Sequence, residues 1–249
     1  MTLSSICTNV ALDCGVDLPP GAITGSRAPA AQRLLLQAKR AAKSLFNVAP
    51  WSALTIEHVF TANGSSDFPL PPDFDRMIDD TLWERTRYWA LRGAMSPQQW
   101  QVYRSSIYSR ATIERRWRIR IPSGQGTGSA VMFSVDPQLG ATDTTTTFVF
   151  EYVSQNWCKG ADGTMKSDWS ADTDTAVYGE YLIELGTRWR ILRRLGLAYD
   201  EEKDEYQRQL DQAIARDAGT AVLSLVPSSR TVFIGPYNVP DTGFGPVPT

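Results

Sequence analysis

The sequence predicts an α+β fold: a helical bundle built from an N-terminal and a C-terminal helix pair, an inserted small antiparallel β lobe, and an extended C-terminal tail. Three observations carry this. Apolar residues recur at three and four positions near both ends, they alternate in short runs between, and prolines crowd the last residues. The implied boundaries are 1–50 and 172–219 for the bundle, 51–171 for the β-rich lobe with one short helix at about 96–106, and 220–249 for the tail.

The first helix is expected over residues 3–14. Thr2 or Ser4 can cap it, Ile6 and Val10 share a face, and Gly15 supplies a left-handed end. Pro19-Pro20-Gly21 then turns the chain. A second helix is expected over 29–47, with Pro29 in its first turn and Ala31, Leu34, Leu35, Ala38, Ala42, Leu45 and Phe46 as its apolar stripe. Arg33, Lys39, Arg40 and Lys43 occupy its other faces and read as solvated.

From Trp51 the period becomes two. Leu54, Ile56, His58 and Phe60 alternate with Thr55, Glu57, Val59 and Thr61, a half-buried strand that Asn63-Gly64 closes as a hairpin signal. His58, on the more apolar face, reads as a packed residue. Residues 68–72, with three prolines, read as an extended connector. Further strands are expected at 78–83, 87–91, 113–121, 130–135 and 146–153, with turn material at 123–128. Ser96 and Gln99 form a capping box around Pro97, so a helix starts there and turns Trp100 and Tyr103 to the sheet.

Residues 172–175 read as the acidic start of a helix reaching Leu195, with Val177, Tyr181, Leu185, Trp189 and Leu192 inward, a Glu184–Arg188 pair, and Gly196 at its end. A last helix over 200–218 turns Tyr206, Leu210, Ala213 and Ile214 inward and ends at Gly219. Residues 227–249 contain five prolines and cannot form a helix or a central strand. Such a segment is ordered only where its own domain or a partner chain holds it.

Composition narrows the chemistry. Of 249 residues one is histidine (His58) and three are cysteines (Cys7, Cys14, Cys158), which removes most zinc sites, most Ser-His-Asp or Cys-His mechanisms and a disulfide scaffold. The scattered thiols fit a reducing compartment, the first residues lack a signal-peptide pattern, and no apolar run is long enough to span a bilayer, so synthesis in a cytoplasm is the expectation. Asp73, Asp75, Asp79 and Asp80 lack the glycine and glutamate of a calcium loop, and they read as turn carboxylates near arginines, as do Asp162, Asp168, Asp172 and Asp174. Gly124, Gly126 and Gly128 precede no helix, so they do not form a dinucleotide fingerprint. No catalytic residue, metal ligand or cofactor is assigned.

The strongest electrostatic feature is the run 115–121. Alternation places Trp117, Ile119 and Ile121 on one face and Arg116, Arg118 and Arg120 on the other. Three arginines in a row can read phosphates, bridge a subunit boundary or simply face water. The net charge of -2 favours a protein partner over nucleic acid.

Several segments resemble the core of tailed-bacteriophage head-to-tail adaptor proteins (tail tubular protein A and head completion relatives). They are Leu70-Pro71-Pro72-Asp73-Phe74-Asp75-Arg76, Asp80-Thr81-Leu82-Trp83, Met95-Ser96-Pro97-Gln98-Gln99-Trp100, Phe150 through Cys158, and the helix pair 174–195 and 200–218. The resemblance covers roughly residues 3–217 and rests on the order and spacing of these segments. It implies a non-enzymatic structural protein of the virion neck, made in the bacterial host cytoplasm. The expected assembly is a ring, commonly a dodecamer, docked on the portal, extending the DNA channel and offering a platform to a downstream tail or nozzle protein. Double-stranded DNA would pass without sequence-specific binding, and no membrane is involved.

By the same resemblance Trp83, Ser96, Pro97, Trp100, Trp157, Asp174 and Trp189 are motif core, and Arg116, Arg118, Arg120, Asp73 and Asp75 are inter-subunit candidates. Arg230, Phe233, Ile234, Tyr237 and Phe244 in the tail would grip the portal or a neighbouring subunit. Head-to-tail rings use heterologous interfaces, which favour Trp, Tyr and Arg anchors, and eight tryptophans supply them. A slightly acidic wall also suits passing DNA, which tight phosphate binding would slow. Two other classes remain open: a single-strand nucleic-acid binder using the arginine face with aromatic stacking, and a tail-associated hydrolase using carboxylate pairs.

Overall fold

Thr2 accepts a hydrogen bond from the amide of Ser5 (3.2 Å), and this cap starts α1, Leu3–Asp13. The computed structural model describes residues 1–86, 89–91, 94–105, 115–121, 130–136 and 145–217. The chain is mixed α+β, with five α-helices and small antiparallel sheets among the described residues. The helix α2, Pro29–Val48, buries Ala31, Leu34, Ala38, Ala41, Ala42, Leu45 and Phe46, close to its expected stripe.

β1 (Thr55–Thr61) follows a single 3-10 turn, and then come β2 (Asp67–Pro69), β3 (Phe74–Met77), β4 (Trp83–Glu84) and β5 (Trp89–Ala90). α3 (Pro97–Ser105), β6 (Arg116–Arg120), β7 (Met132–Asp136) and β8 (Thr147–Ser154) complete the larger sheets. After three two-residue strands, β9 (Cys158–Lys159), β10 (Met165–Lys166) and β11 (Thr175–Ala176), the chain closes with α4 (Glu180–Leu195) and α5 (Asp200–Asp217).

β8 organises the main sheet. β1 lies along one edge in full register, Thr55 opposite Val153 through Thr61 opposite Thr147, and β3 and β4 follow one another along the other edge. β2, β7 and β6 form a second sheet, and β10, β9 and β11 a third. Between the first two sheets lie Phe68, Leu82, Leu91, Trp117, Phe133, Val135, Phe148, Phe150 and Tyr152. Phe133, Phe148 and Phe150 have no exposed surface, and such burial stabilises by about 1.5–3 kcal/mol each. The other core joins α1, α2, α4 and Tyr206 of α5 to Leu54, Val153, Trp157, Cys158 and Trp169.

Several expectations are corrected. Asn63-Gly64 is a turn, with Gly64 at φ 82° and Asn63 accepting from Ser65, but it closes no hairpin: β1 pairs with β8 and β2 with β7, so the turn passes the chain between sheets. The connector at 68–72 begins as a strand, because only Pro69 falls within β2, at its end. The strand expected at 78–83 falls instead in the gap between β3, which ends at Met77, and β4, which begins at Trp83, with the chain turning at Asp79-Asp80. The helix expected from 172 starts instead at Glu180, because Thr175–Ala176 pairs with β9 and the carboxylates of Asp172 and Asp174 bind other backbone segments.

α4 also departs from its single stripe. It packs against α1, α2 and α5, so Leu182, Ile183, Leu185, Gly186 and Ile191 are all buried while Tyr181 is 52% exposed. Arg188 pairs with Asp13 (3.5 Å) and Glu202 (2.8 Å) rather than with Glu184, which sits near Asn9. Residues 123–128 and 218–219 lie outside the described residues.

Candidate assembly surfaces

Where the edge of β8 passes from β3 to β4, the backbone breaks at Asp80, a non-glycine residue at φ 61°. Thr81 spans the break: its hydroxyl donates to the carbonyl of Ile78 (2.7 Å) and accepts from the amide of Glu151 (3.1 Å). The interruption leaves a shallow recess of about 270 Å³ lined by Glu57, Asp80, Thr81, Trp83, Arg85, Val149 and Glu151. Glu57 and Glu151 face each other across one rung, an unfavourable like-charge pair that Arg85 offsets by bonding Glu57 at 2.7 Å. Among the described residues no group of three His, Cys, Asp or Glu could hold a metal ion. No helix among them is long and apolar enough to cross a membrane.

The arginine strand alternates as the sequence implies, with Trp117 buried and stacked on Phe133 (5.4 Å). Its other face is not an open strip, however. Arg116, Arg118 and Arg120 are all half-buried. The segment leading into α3 is tied to β6 by the Met95 amide on the Trp117 carbonyl (3.0 Å), and Arg120 lies over the ring of Trp100 (5.6 Å). Arg120 also bonds Asp67 of β2 at 3.2 Å, an acid that additionally accepts from Ser134. Arg115, next to that face, makes the most buried ion pair here: it bonds Glu84 at 2.9 Å, with their side chains 13% and 1% exposed. Neither Asp67 nor Glu84 carried any local signal, because each meets its arginine only through the packing of segments distant in sequence.

Asp73 and Asp75 separate in role. Asp73 accepts from the Tyr152 hydroxyl (3.0 Å) and from Ser154 (2.6 Å), and burial together with this carboxylate pushes the Tyr152 phenol up to about 12. Asp75 pairs with adjacent Arg76 (2.9 Å) and stays exposed at the surface. His58 packs among Phe60, Phe150 and Tyr152, and burial, opposed by the nearby Asp73 charge, lowers its pKa. It is the packed residue the strand pattern implies.

The motif residues hold segments together. Ser96 and Gln99 complete the reciprocal cap (3.1 and 3.3 Å) that starts α3 at Pro97, and this sets Trp100 inward at 2% exposure. Trp157 meets Trp169 edge-on at 4.9 Å inside the helical core. Asp174, 1% exposed, takes the amides of Ser170 (2.8 Å) and Ala171 (2.9 Å) and the Lys166 ammonium (3.1 Å). Trp83 is half-buried beside the recess, and Trp189 is half-buried under Arg190, whose guanidinium sits 4.4 Å from the ring centroid. The sequence reads Asp172 as a turn carboxylate and part of a helix start. It in fact anchors the loop before α2 by accepting from the amides of Ile23 and Thr24 (2.7 Å each). Arg230, Phe233, Ile234, Tyr237 and Phe244 lie outside the described residues.

Set against known proteins, the chain matches the family model described as SU10 adaptor protein over residues 1–232. No curated protein matches it.

Proposed function

The chain belongs to the SU10 adaptor protein family, a family of phage head-to-tail adaptors, and from that premise we propose how this structural protein works in the virion neck. Copies form a head-to-tail ring, with a dodecamer as the expected number, that docks on the portal, extends the DNA channel and receives a downstream tail or nozzle protein. The helices act as one bundle that carries the β lobe of residues 51–171, and the tail from 220 onward grips the portal or a neighbour through Arg230, Phe233, Ile234, Tyr237 and Phe244. Arg116, Arg118, Asp75 and their neighbours contribute to contacts between copies. The role is structural, without catalysis.

The observation that carries this reading is the family match along residues 1–232. The placement of the motif residues supports it. The segment Phe148 to Cys158 gives Phe148, Phe150 and Tyr152 to one core and Val153, Trp157 and Cys158 to the other, so force applied to the lobe passes directly into the helices. Such coupling suits a part that must transmit load between two assemblies. Native mass measurement of the chain mixed with purified portal tests the reading. The expected result is a complex with a fixed, multi-copy complement of the chain. A chain that stays monomeric with portal present overturns it.

A further inference from the structure

Resting on that adaptor reading, we propose that the basic outer face of α2 docks antiparallel on the acidic outer face of α5 of a second copy of this chain. α2 carries Arg33, Lys39, Arg40 and Lys43 and no acid. Lys39 is engaged with Asp168 (2.6 Å) and the Trp169 carbonyl, whereas Arg33, Arg40 and Lys43 are exposed and make no side-chain bond among the described residues. At 100° per residue these three lie within about 80° of arc, with the 45% exposed Leu36 between them. On α5, Asp200, Asp204 and Asp211 are likewise exposed, make no side-chain bond among the described residues, and lie within about 40° of arc.

Spacing fixes the orientation. At 1.5 Å per residue, Arg33, Arg40 and Lys43 are separated by about 10.5 and 4.5 Å along the helix. Read backwards, Asp211, Asp204 and Asp200 are separated by about 10.5 and 6 Å. An antiparallel contact therefore aligns Arg33 with Asp211, Arg40 with Asp204 and Lys43 with Asp200, and it sets the acidic start of α5 against the negative end of the α2 dipole only at Lys43, which screens it.

Within one copy no bond joins the two faces among the described residues. Both helices back onto α4 at the same point, since a Cβ on Gly186 would stand 3.3 Å from Ala41 of α2 and 3.2 Å from Tyr206 of α5. At 100° per residue the three bases lie about 80–160° around α2 from Ala41, and the three acids about 120–160° around α5 from Tyr206. The like-charge neighbours Arg40 and Lys43 are mutually unfavourable on an isolated helix. A heterologous contact between copies satisfies both faces at once, while DNA would satisfy α2 and be repelled by α5.

Charge reversal in the full-length chain tests this. One variant carries Arg33→Glu, Arg40→Glu and Lys43→Glu, the other Asp200→Lys, Asp204→Lys and Asp211→Lys, and far-UV circular dichroism confirms that each folds. Self-association on purified portal, followed by sedimentation, should weaken about tenfold or more in either variant alone, as three exposed pairs become repulsions. An equimolar mixture of the two should recover wild-type assembly, because every α2–α5 contact in an alternating ring is again complementary. Wild-type-like assembly by either variant alone, or failure of the mixture to recover, overturns the contact while the wild-type ring leaves the adaptor reading standing. Loss of duplex DNA retention by the α2 variant with unchanged assembly overturns it in favour of nucleic acid. Wild-type protein that never assembles on portal overturns both.

Discussion

Replacing Asp174 offers the sharpest test of how the segment before α4 is held. Its carboxylate is 1% exposed, and burial alone would raise its pKa. The amides of Ser170 and Ala171 and the Lys166 ammonium outweigh burial and bring it down to about 2 from an ordinary 3.8. That lowering corresponds to about 2.5 kcal/mol of folded-state stabilisation. Because the folded pKa is depressed, that contribution is complete above about pH 4 and is lost as pH falls through 2. In Asp174→Asn the remaining carbonyl can keep the Ser170 and Ala171 amides, while the amide nitrogen turns toward Lys166, whose 30% exposed side chain can swing to water. The loss is therefore one charge-assisted bond, about 2 kcal/mol, or a melting point lower by roughly 4–8 °C. Asp174→Ala also strands two amides and should cost about 4 kcal/mol. Urea unfolding at pH 7 and at pH 3 measures both. An Asn variant within about 0.5 kcal/mol of wild type at pH 7, or a gap that does not narrow toward pH 2, refutes the reasoning.

Other expectations are simpler to read. Burial, with the Asp172 charge added, pushes the Cys7 thiol up to about 12, and burial with the Asp174 charge does the same for Cys158, so a thiol reagent at pH 8 should label neither until denaturant is added. Gly179 holds φ 52°, and a Cβ there would stand 2.8 Å from Leu45; Gly179→Ala should therefore cost about 1–3 kcal/mol in unfolding free energy. The Trp100 indole N–H is buried without a partner among the described residues, so Trp100→Phe should lose only packing, under about 1.5 kcal/mol, whereas Trp100→Ala should lose about 3–5 kcal/mol. Deleting residues 227–249 should leave thermal unfolding unchanged and abolish incorporation on portal, and equal incorporation would defeat the assignment of the tail.

Local rules were enough for α1, where cap, stripe and glycine stop agree, for α2, read from Pro29 and its stripe, for α3, read from its capping box, and for β1, whose seven residues meet seven partners on β8. They failed where a residue's best partner is far along the chain. The Asp-rich run at 172–175 has the composition of a helix start, yet Asp172 binds Ile23 and Thr24, and Asp174 binds a loop four residues back. Strands of two residues, such as β9 and β11, have no period to detect. The division of Arg188 between Asp13 and Glu202, in place of the i,i+4 Glu184, follows from two helices converging on α4. The capping box at Ser96 predicted a helix, but the docking of that helix on the arginine strand depended on Trp100 and Asp67 together.

The tryptophans sharpen what can hold copies together. Eight of them suggested large aromatic anchors for an interface. Among the described side chains, however, Trp51, Trp100, Trp117, Trp157 and Trp169 are each at most 6% exposed inside this chain's own cores. Among the exposed groups on the helical surface, charge is sorted by element: only basic on α2, and chiefly acidic along α5. An assembly joined through such faces should respond to salt in one direction. Raising ionic strength from 0.1 to 1 M shortens the screening length from about 10 to 3 Å, so rings on portal should dissociate. An interface anchored by buried aromatic rings would instead be strengthened by sulfate, which favours apolar burial. Sedimentation of the portal complex in sodium chloride and in ammonium sulfate at equal ionic strength separates the two. Dissociation in both follows from charged helix faces, and a complex that tightens in sulfate would place the contact on residues other than α2 and α5.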